Sequence, residues 1–150
     1  MKRRNFLTAL VMAVGLMVSV AAPTLAAETG RRVVFHIDEN DKGRMNLVLN
    51  NAQNVNSYYK AKGEKVQIEI VAYGPGLNML VDGKSPVQAR IESMGLGMDN
   101  LQFSACGNTH RKMSKKAGKE VKLMSEAKVV PAGVIRLMEL QDEGWAYIRP

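Results

Sequence analysis

Cys106 is the residue with the greatest capacity for covalent chemistry, and it is the one cysteine among 150 residues. It ends the apolar run 101–106 and directly precedes Gly107-Asn108-Thr109, a segment that favours the start of a helix. The N–H groups and dipole at a helix N-terminus stabilise an anion, so this position favours a nucleophilic, partly exposed thiolate. A structural cysteine buried at the end of a strand is the alternative that the pattern leaves open.

The residues after Cys106 add to the case for a reactive thiol. Gly107 allows a sharp turn and leaves room over the sulfur. His110 follows four residues after the cysteine, within the first turn of the predicted helix, where a Cys–His nucleophilic pair is conceivable. The sequence shows no third residue to orient such a pair. Positive charge near the sulfur is expected from four further residues: Arg111, Lys112, Lys115 and Lys116.

Two other apolar runs end in residues that a site at Cys106 would use. His36 closes the first run, and Tyr73-Gly74 follows the second. Ligands bind beyond the carboxyl ends of parallel strands, so we expect these residues to line the same crevice as Asn108 and Thr109. Purely structural roles are the alternatives that stay open: His36 as a hydrogen-bonded histidine, and Tyr73-Gly74 as part of a plain glycine-rich turn.

Composition argues against several other classes of site. His36, Asp38, Asp41, Cys106 and His110 show no compact ligand spacing, so the sequence predicts neither a metal nor another cofactor. Three of the seven net positive charges come from positions 2–4, which leaves a mildly basic remainder of +4. Aromatic residues do not alternate with the basic ones, so no nucleic-acid partner is predicted.

The strands that must position these residues alternate with helices along the chain. Apolar runs predict strands at 31–37, 66–72, 101–106, 129–130 and 145–148. Three- and four-residue apolar spacing, with glycine and proline boundaries, predicts helices at 42–62, 77–81, 87–94, 107–118 and 132–143. The pattern over residues 119–128 is ambiguous, and is compatible with a loop that contains a single helical turn around Met124. This order predicts an α/β fold in three layers, with a mainly parallel sheet of about five strands between helices.

The N-terminus has the pattern of an export signal. Basic residues at positions 2–4 precede an uncharged apolar run over 6–22, and Pro23 and small residues follow. This predicts a signal peptide at 1–27, cleaved after Ala26 or Ala27, and a single periplasmic domain at 28–150. A retained membrane anchor is the competing interpretation, but the run is short for a span of about 20 residues.

The export route is less well defined than export itself. Residues 3–7, Arg-Arg-Asn-Phe-Leu, resemble the twin-arginine motif, in which two arginines precede two apolar residues after a spacer. Lys2 and Thr8 depart from the usual flanking residues, so ordinary Sec export stays open.

Four segments together resemble the DsrE/DsrF-like family. They are Val33–Ile37, Phe103–Thr109, Val130–Gln141 with its Val-Pro-Ala-Gly start, and Gly144–Pro150. The resemblance implies a small flavodoxin- or Rossmann-like α/β domain that assembles into trimers or hexamers. It also implies a sulfur relay in which Cys106 occupies the sulfur-carrying position as a persulfide. Known relays of this kind are cytoplasmic, so an export signal is a departure that leaves pathway and partner open.

Three functional hypotheses follow. The preferred one is a periplasmic sulfurtransferase-like carrier that moves sulfane sulfur on Cys106 between donor and acceptor proteins or small sulfur species. The second is a non-catalytic oligomeric module that binds a small ligand or protein in the strand-end crevice. The third is a thiol redox sensor that forms a disulfide between two Cys106 residues.

Overall fold

The computed structural model of the protein describes residues 30–150. The predicted signal peptide, residues 1–27, lies outside this range. The five strands are β1 (Arg31–Ile37), β2 (Val66–Ala72), β3 (Leu101–Cys106), β4 (Ala127–Val130) and β5 (Ala146–Ile148). The four α-helices are α1 (Lys42–Ala61), α2 (Gln88–Gly97), α3 (Gly107–Ala117) and α4 (Gly133–Asp142), and a 3-10 helix spans Gly74–Leu80.

The strands form one parallel sheet in the order β4-β3-β2-β1-β5. The predicted parallel α/β architecture is therefore confirmed. Because all strands run the same way, the carboxyl ends of β1, β2, β3 and β4 lie at one edge of the sheet. The register places Ala72 beside Ala105 and Cys106 beside Val130, so the segments after these strands meet near the cysteine.

The larger core lies on one face of the sheet. Alternate strand residues, among them Phe35, Ile70 and Phe103, point into it. They pack against Met45 and Leu49 of α1 and against apolar residues of the 3-10 helix and α2. Burial of these side chains contributes most of the folding free energy.

The opposite face of the sheet carries a smaller core under α4. Val34 and Val71 pack there against Leu137 and Leu140 of α4. The helix covers this face with one side only, since Val134, Ile135 and Met138 on its other side remain about half exposed. The position of α4 therefore depends on few apolar contacts.

Some predicted boundaries were wrong. The prediction ended a helix before Gly95, but α2 runs to Gly97. A glycine ends a helix well when it takes a positive φ, as Gly118 does at 65°, and Gly95 has no such φ. Strand β4 begins at Ala127, two residues earlier than predicted. The ambiguous stretch before it forms an antiparallel bridge between Val81 and Leu123.

Candidate functional site

Cys106 is the last residue of β3 and the N-cap of α3. Its Sγ accepts a hydrogen bond from the Thr109 N–H at 3.5 Å. A polar side chain normally satisfies this free N–H at a helix start, and here the sulfur does so. The sequence-based prediction that Cys106 lies at a helix N-terminus is therefore confirmed.

The backbone N–H of Gly74 helps to orient the Thr109 hydroxyl. The Gly74 N–H donates to Thr109 Oγ1 at 3.0 Å, which leaves the hydroxyl proton free for another acceptor. Hydrogen bonding from the Thr109 side chain lowers the pKa of Cys106, so the sulfur is the acceptor that this arrangement favours. Gly74 has a φ of 52°, a conformation that glycine adopts readily. The turn after β2 thus fixes a donor for the thiolate.

A second helix N-terminus also reaches the sulfur. The Gly133 N–H, in the first turn of α4, lies close enough to lower the pKa of Cys106 by hydrogen bonding. This approach needs small residues: a Cβ on Gly107 would lie 3.0 Å from the Val130 carbonyl oxygen, and one on Gly133 would lie 2.9 Å from Tyr73. Gly107 therefore allows the end of β4 and the segment after it to pack closely against the start of α3.

The hydrogen bonds outweigh burial in setting the acidity of the thiol. Burial raises the pKa of Cys106, but donors from the Thr109 side chain and from Gly133, Thr109 and Asn108 N–H groups lower it further. The net pKa lies below the ordinary value of 9.0. The arrangement therefore favours a thiolate, which is the nucleophilic form.

The sulfur is less accessible than predicted. Cys106 is only 5% exposed, whereas a partly exposed thiol was expected. The reason is packing: both helix N-termini converge on the residue, and it lies on the sheet face that α4 covers. Only compact reagents can reach a sulfur in this position without movement of the chain.

His36 and Tyr73 lie side by side at the same edge of the sheet. Their rings stack with centroids 4.6 Å apart, and His36 Nδ1 lies 2.7 Å from the Tyr147 hydroxyl. His36 is 5% exposed, and its Nε2 has no hydrogen-bond partner among the described residues. His36 therefore packs against Tyr73, which in turn lies against Gly133 at the start of α4.

Two charged residues flank this aromatic cluster. Asp38 Oδ2 lies 3.8 Å from His36 Nε2, and Arg149 contacts Asp38 at 2.9 Å. Burial lowers the pKa of His36, an effect that Asp38 opposes and Arg149 reinforces. Burial and the carboxylate of Asp38 raise the pKa of Tyr73, and the charge of Cys106 adds to this. The contacts of Tyr147 and Arg149 were not predicted from the sequence, because they depend on the pairing of β5 with β1.

His110 is directed elsewhere. It lies in the first turn of α3 as expected, but its Nε2 donates to the Val121 carbonyl at 2.6 Å. No hydrogen bond joins His110 to Cys106 within residues 30–150. The conceivable Cys–His pair is therefore not formed. Asn108 provides its N–H to the sulfur, and its side chain accepts from Arg111.

A buried ion pair under α4 was also missed by the sequence analysis. Arg136 donates from Nε and a terminal nitrogen to the two carboxylate oxygens of Glu69, both at 2.8 Å. Glu69 also accepts from the Ser104 hydroxyl at 2.6 Å. The available signal was Glu69, the single charged residue of β2, together with an arginine on the helix that covers it.

In residues 30–150, no group of three or more histidine, cysteine or acidic side chains is placed to hold a metal ion. No helix in the same range is long and apolar enough to cross a bilayer.

An open cavity of about 450 Å³ lies between the 3-10 helix and α3, where Gly74, Thr109, Lys112 and Lys116 are among the residues that line it. Cys106 does not line this cavity, and its connection to the cavity is Thr109, whose N–H donates to the sulfur. The cavity therefore offers positive charge next to a residue that hydrogen-bonds the sulfur.

Comparison with known proteins agrees with the fold. Residues 32–150 match the model of the DsrE/DsrF-like family. A solved structure of a protein of unknown function from Methanobacterium thermoautotrophicum is 38% identical, with a TM-score of 0.67. That match covers 80% of this chain and 99% of the other. No curated protein matches significantly.

Proposed function

The chain belongs to the DsrE/DsrF-like family, and from this premise we propose that it carries sulfane sulfur as a persulfide on Cys106. The family suggests a sulfur relay. The observation that carries the finer proposal is the convergence of two helix N-termini and the Thr109 hydroxyl on one sulfur. A persulfide carrier needs an anionic sulfur both before and after it is loaded, and these donors stabilise both states.

With thiosulfate as the donor, loading is a displacement at sulfur. The Cys106 thiolate attacks the outer sulfur of thiosulfate, the sulfur–sulfur bond of the donor breaks, and sulfite leaves with the bonding electron pair. In the second step an acceptor thiolate attacks the outer sulfur of the persulfide, and Cys106 leaves as a thiolate. A lowered thiol pKa helps both steps, because it increases the thiolate fraction and improves the leaving group.

Burial of Cys106 favours small anionic donors over large ones. Lys112 and Lys116 place two cations in the cavity that adjoins Thr109, and such a cavity raises the local concentration of anions. Thiosulfate and polysulfide are small enough to approach a largely buried thiol. The outer sulfur of a persulfide lies about 2 Å beyond the first, so it is more accessible to an acceptor.

Intact-mass analysis tests the proposal directly. We expect the purified protein to gain one or more sulfur atoms after incubation with thiosulfate or polysulfide, and to lose them on reduction. Cys106→Ser is the control, because serine also caps helices and removes only the reactive sulfur. An unmodified thiol in the folded protein contradicts the proposal and favours a binding module. A Cys106-linked dimer on a non-reducing gel favours a redox sensor.

We further propose that the protein is a homo-oligomer, a trimer or hexamer as its family suggests. Val134, Ile135 and Met138 support this, because three neighbouring apolar side chains of α4 are 47–56% exposed. Sedimentation velocity gives the mass in solution, and a monomer at micromolar concentration contradicts the proposal.

Export to the periplasm is proposed from residues 1–27 alone. The test is expression of the full chain in a bacterial host, followed by cell fractionation and intact-mass measurement. A periplasmic product that begins at position 27 or 28 supports the proposal. A cytoplasmic product that retains its N-terminus contradicts it. Replacing Arg3 and Arg4 by lysine separates the twin-arginine route from Sec export, because only the former requires the arginine pair.

A further inference from the structure

The ion pair between Glu69 and Arg136 connects the middle of the sheet to the helix that caps the thiol. Glu69 is 2% exposed, and it accepts two hydrogen bonds from Arg136 and one from Ser104. Gln102 in turn donates to the Ser104 hydroxyl at 2.9 Å. A carboxylate with this number of donors holds its partner in one orientation, since a bidentate arginine contact fixes direction as well as distance.

Arg136 stands three residues after Gly133, within one turn of the α4 N-terminus. The rest of the helix is held to the sheet by Leu137 and Leu140, and its outer side is exposed. The ion pair therefore fastens the first turn of α4, at the end of the helix that reaches Cys106, to Glu69 of β2. Movement of this end would withdraw the Gly133 N–H from the sulfur.

We propose that Glu69 and Arg136 are positioning residues for Cys106, because their ion pair fixes the α4 N-terminus against the sulfur. Neither residue is placed to react. The inference rests on the proposed function only in taking Cys106 as the reacting group. Other groups lie around the site: the Tyr73 phenol, whose pKa the charge of Cys106 raises, and the Arg111 guanidinium, which lies close to Gly107, while α4 contributes a backbone N–H.

Glu69→Gln separates positioning from a direct effect of charge. Removing a negative charge, and leaving Arg136 without its counter-ion, favours the thiolate through space and would lower the midpoint pH of thiol ionisation. Loss of the bidentate contact loosens α4 and weakens a hydrogen bond to the thiolate, which raises that midpoint. The two explanations therefore predict opposite signs.

The experiment measures the rate of Cys106 alkylation by iodoacetamide as a function of pH in the purified protein. We expect Glu69→Gln to raise the midpoint and to slow the reaction several-fold at a pH below it. The limiting rate at high pH should not fall, because a looser helix exposes the sulfur more. A midpoint that is unchanged or lower overturns the proposal.

Two further variants complete the test. Arg136→Lys keeps the positive charge but lacks the planar fork, so the midpoint pH of thiol ionisation should also rise in this variant. It gives a second result if Glu69→Gln does not fold.

Met45→Ala in the larger core destabilises the domain without touching α4, and its midpoint pH should match that of the unmodified protein. An equal rise in Met45→Ala would attribute the effect to general loosening and overturn the proposal. Sulfur loading is a separate measurement, so failure of one proposal is distinguishable from failure of the other.

Discussion

At the scale of single residues, the structure explains how a largely buried cysteine can still be acidic. Burial alone would hold Cys106 in the neutral thiol form. The donors around it, with Thr109 first among them, reverse that effect. Acidity of the thiol therefore depends on individual hydrogen bonds, each of which can be removed by substitution.

Thr109→Val should make the thiol less acidic. The substitution removes the hydroxyl that bonds Cys106 and leaves the backbone N–H of residue 109 in place. A hydrogen bond to a charged group contributes about 1.5–3 kcal/mol, so alkylation at a pH well below the midpoint should slow by roughly tenfold or more. Stopped-flow alkylation across pH measures the change.

Thr109→Ser is the matched control, because serine keeps the hydroxyl and its bond to the Gly74 N–H. Its pH profile should follow that of the unmodified protein. Equal profiles for the valine and serine variants would show that the hydroxyl does not stabilise the thiolate.

His36 should make the protein less stable in acid. Burial lowers its pKa in the folded state below the value of 6.5, while the unfolded chain regains that value. Between the two pKa values the unfolded state binds more protons, so stability is fully present above about pH 6.5 and falls as the pH drops toward the folded pKa. Urea unfolding from pH 7.5 to pH 5 measures this loss.

His36→Gln should show a smaller loss of stability over the same range, because glutamine does not titrate. Tyr147→Phe is the control: it removes the hydroxyl that His36 contacts but keeps the histidine, so the loss in acid should remain. If His36→Gln and the unmodified protein lose stability in parallel, another group is responsible.

At the scale of elements, glycines determine how closely the 3-10 helix approaches β1. A Cβ on Gly76 would overlap the Ile37 carbonyl and lie 2.8 Å from Asp38 Cα. Gly76→Ala should therefore destabilise the domain by about 1–3 kcal/mol in urea unfolding. Gly97→Ala, at the end of α2 with nothing within 4 Å of its Cβ, should be neutral or stabilising by up to about 1 kcal/mol. Equal effects of the two substitutions would contradict the predicted difference.

The elements themselves were largely predictable from the sequence, for physical reasons. β1, β2 and β3 were placed at their observed bounds because buried parallel strands are nearly continuous apolar runs between polar turns. The end of α1 was also predicted, because Gly63 takes the positive φ of 69° that a helix terminus favours. β4 was placed less well, since its Lys128 is polar and exposed at the edge of the sheet.

The site was predictable where one segment carries it, and where the ends of parallel strands bring His36, Tyr73 and Gly74 to the edge that holds Thr109. Cys106 and Thr109 are close in sequence, so the N-cap could be inferred from their order. The contacts of His36 with Tyr147, and of Glu69 with Arg136, join residues 111 and 67 positions apart. Such contacts depend on which strands and helices become neighbours in the sheet, and the pattern within one segment does not specify this.

At the scale of the whole molecule, the two faces of the sheet are covered unequally. Three helical segments and part of α3 pack over the larger core, but α4 alone of the described helices packs over the smaller one. Its outer side carries adjoining apolar residues, a feature that monomeric proteins rarely leave in water over a large area. Assembly through this side would also hold the α4 N-terminus against Cys106.

Ile135→Lys should therefore reduce the oligomer to smaller species. Ile135 adjoins Val134 and Met138 on the exposed side of α4, so a lysine there places a charge inside the proposed contact. Leu96→Lys on α2 is the matched control, because Leu96 is 91% exposed and stands apart from that side of the molecule, so the oligomer should survive. Sedimentation velocity at micromolar concentration compares the masses, and circular dichroism confirms that both variants fold. An Ile135→Lys protein with the mass of the unmodified oligomer would exclude α4 as the contact, and dissociation of both variants would point to a non-specific effect of added charge.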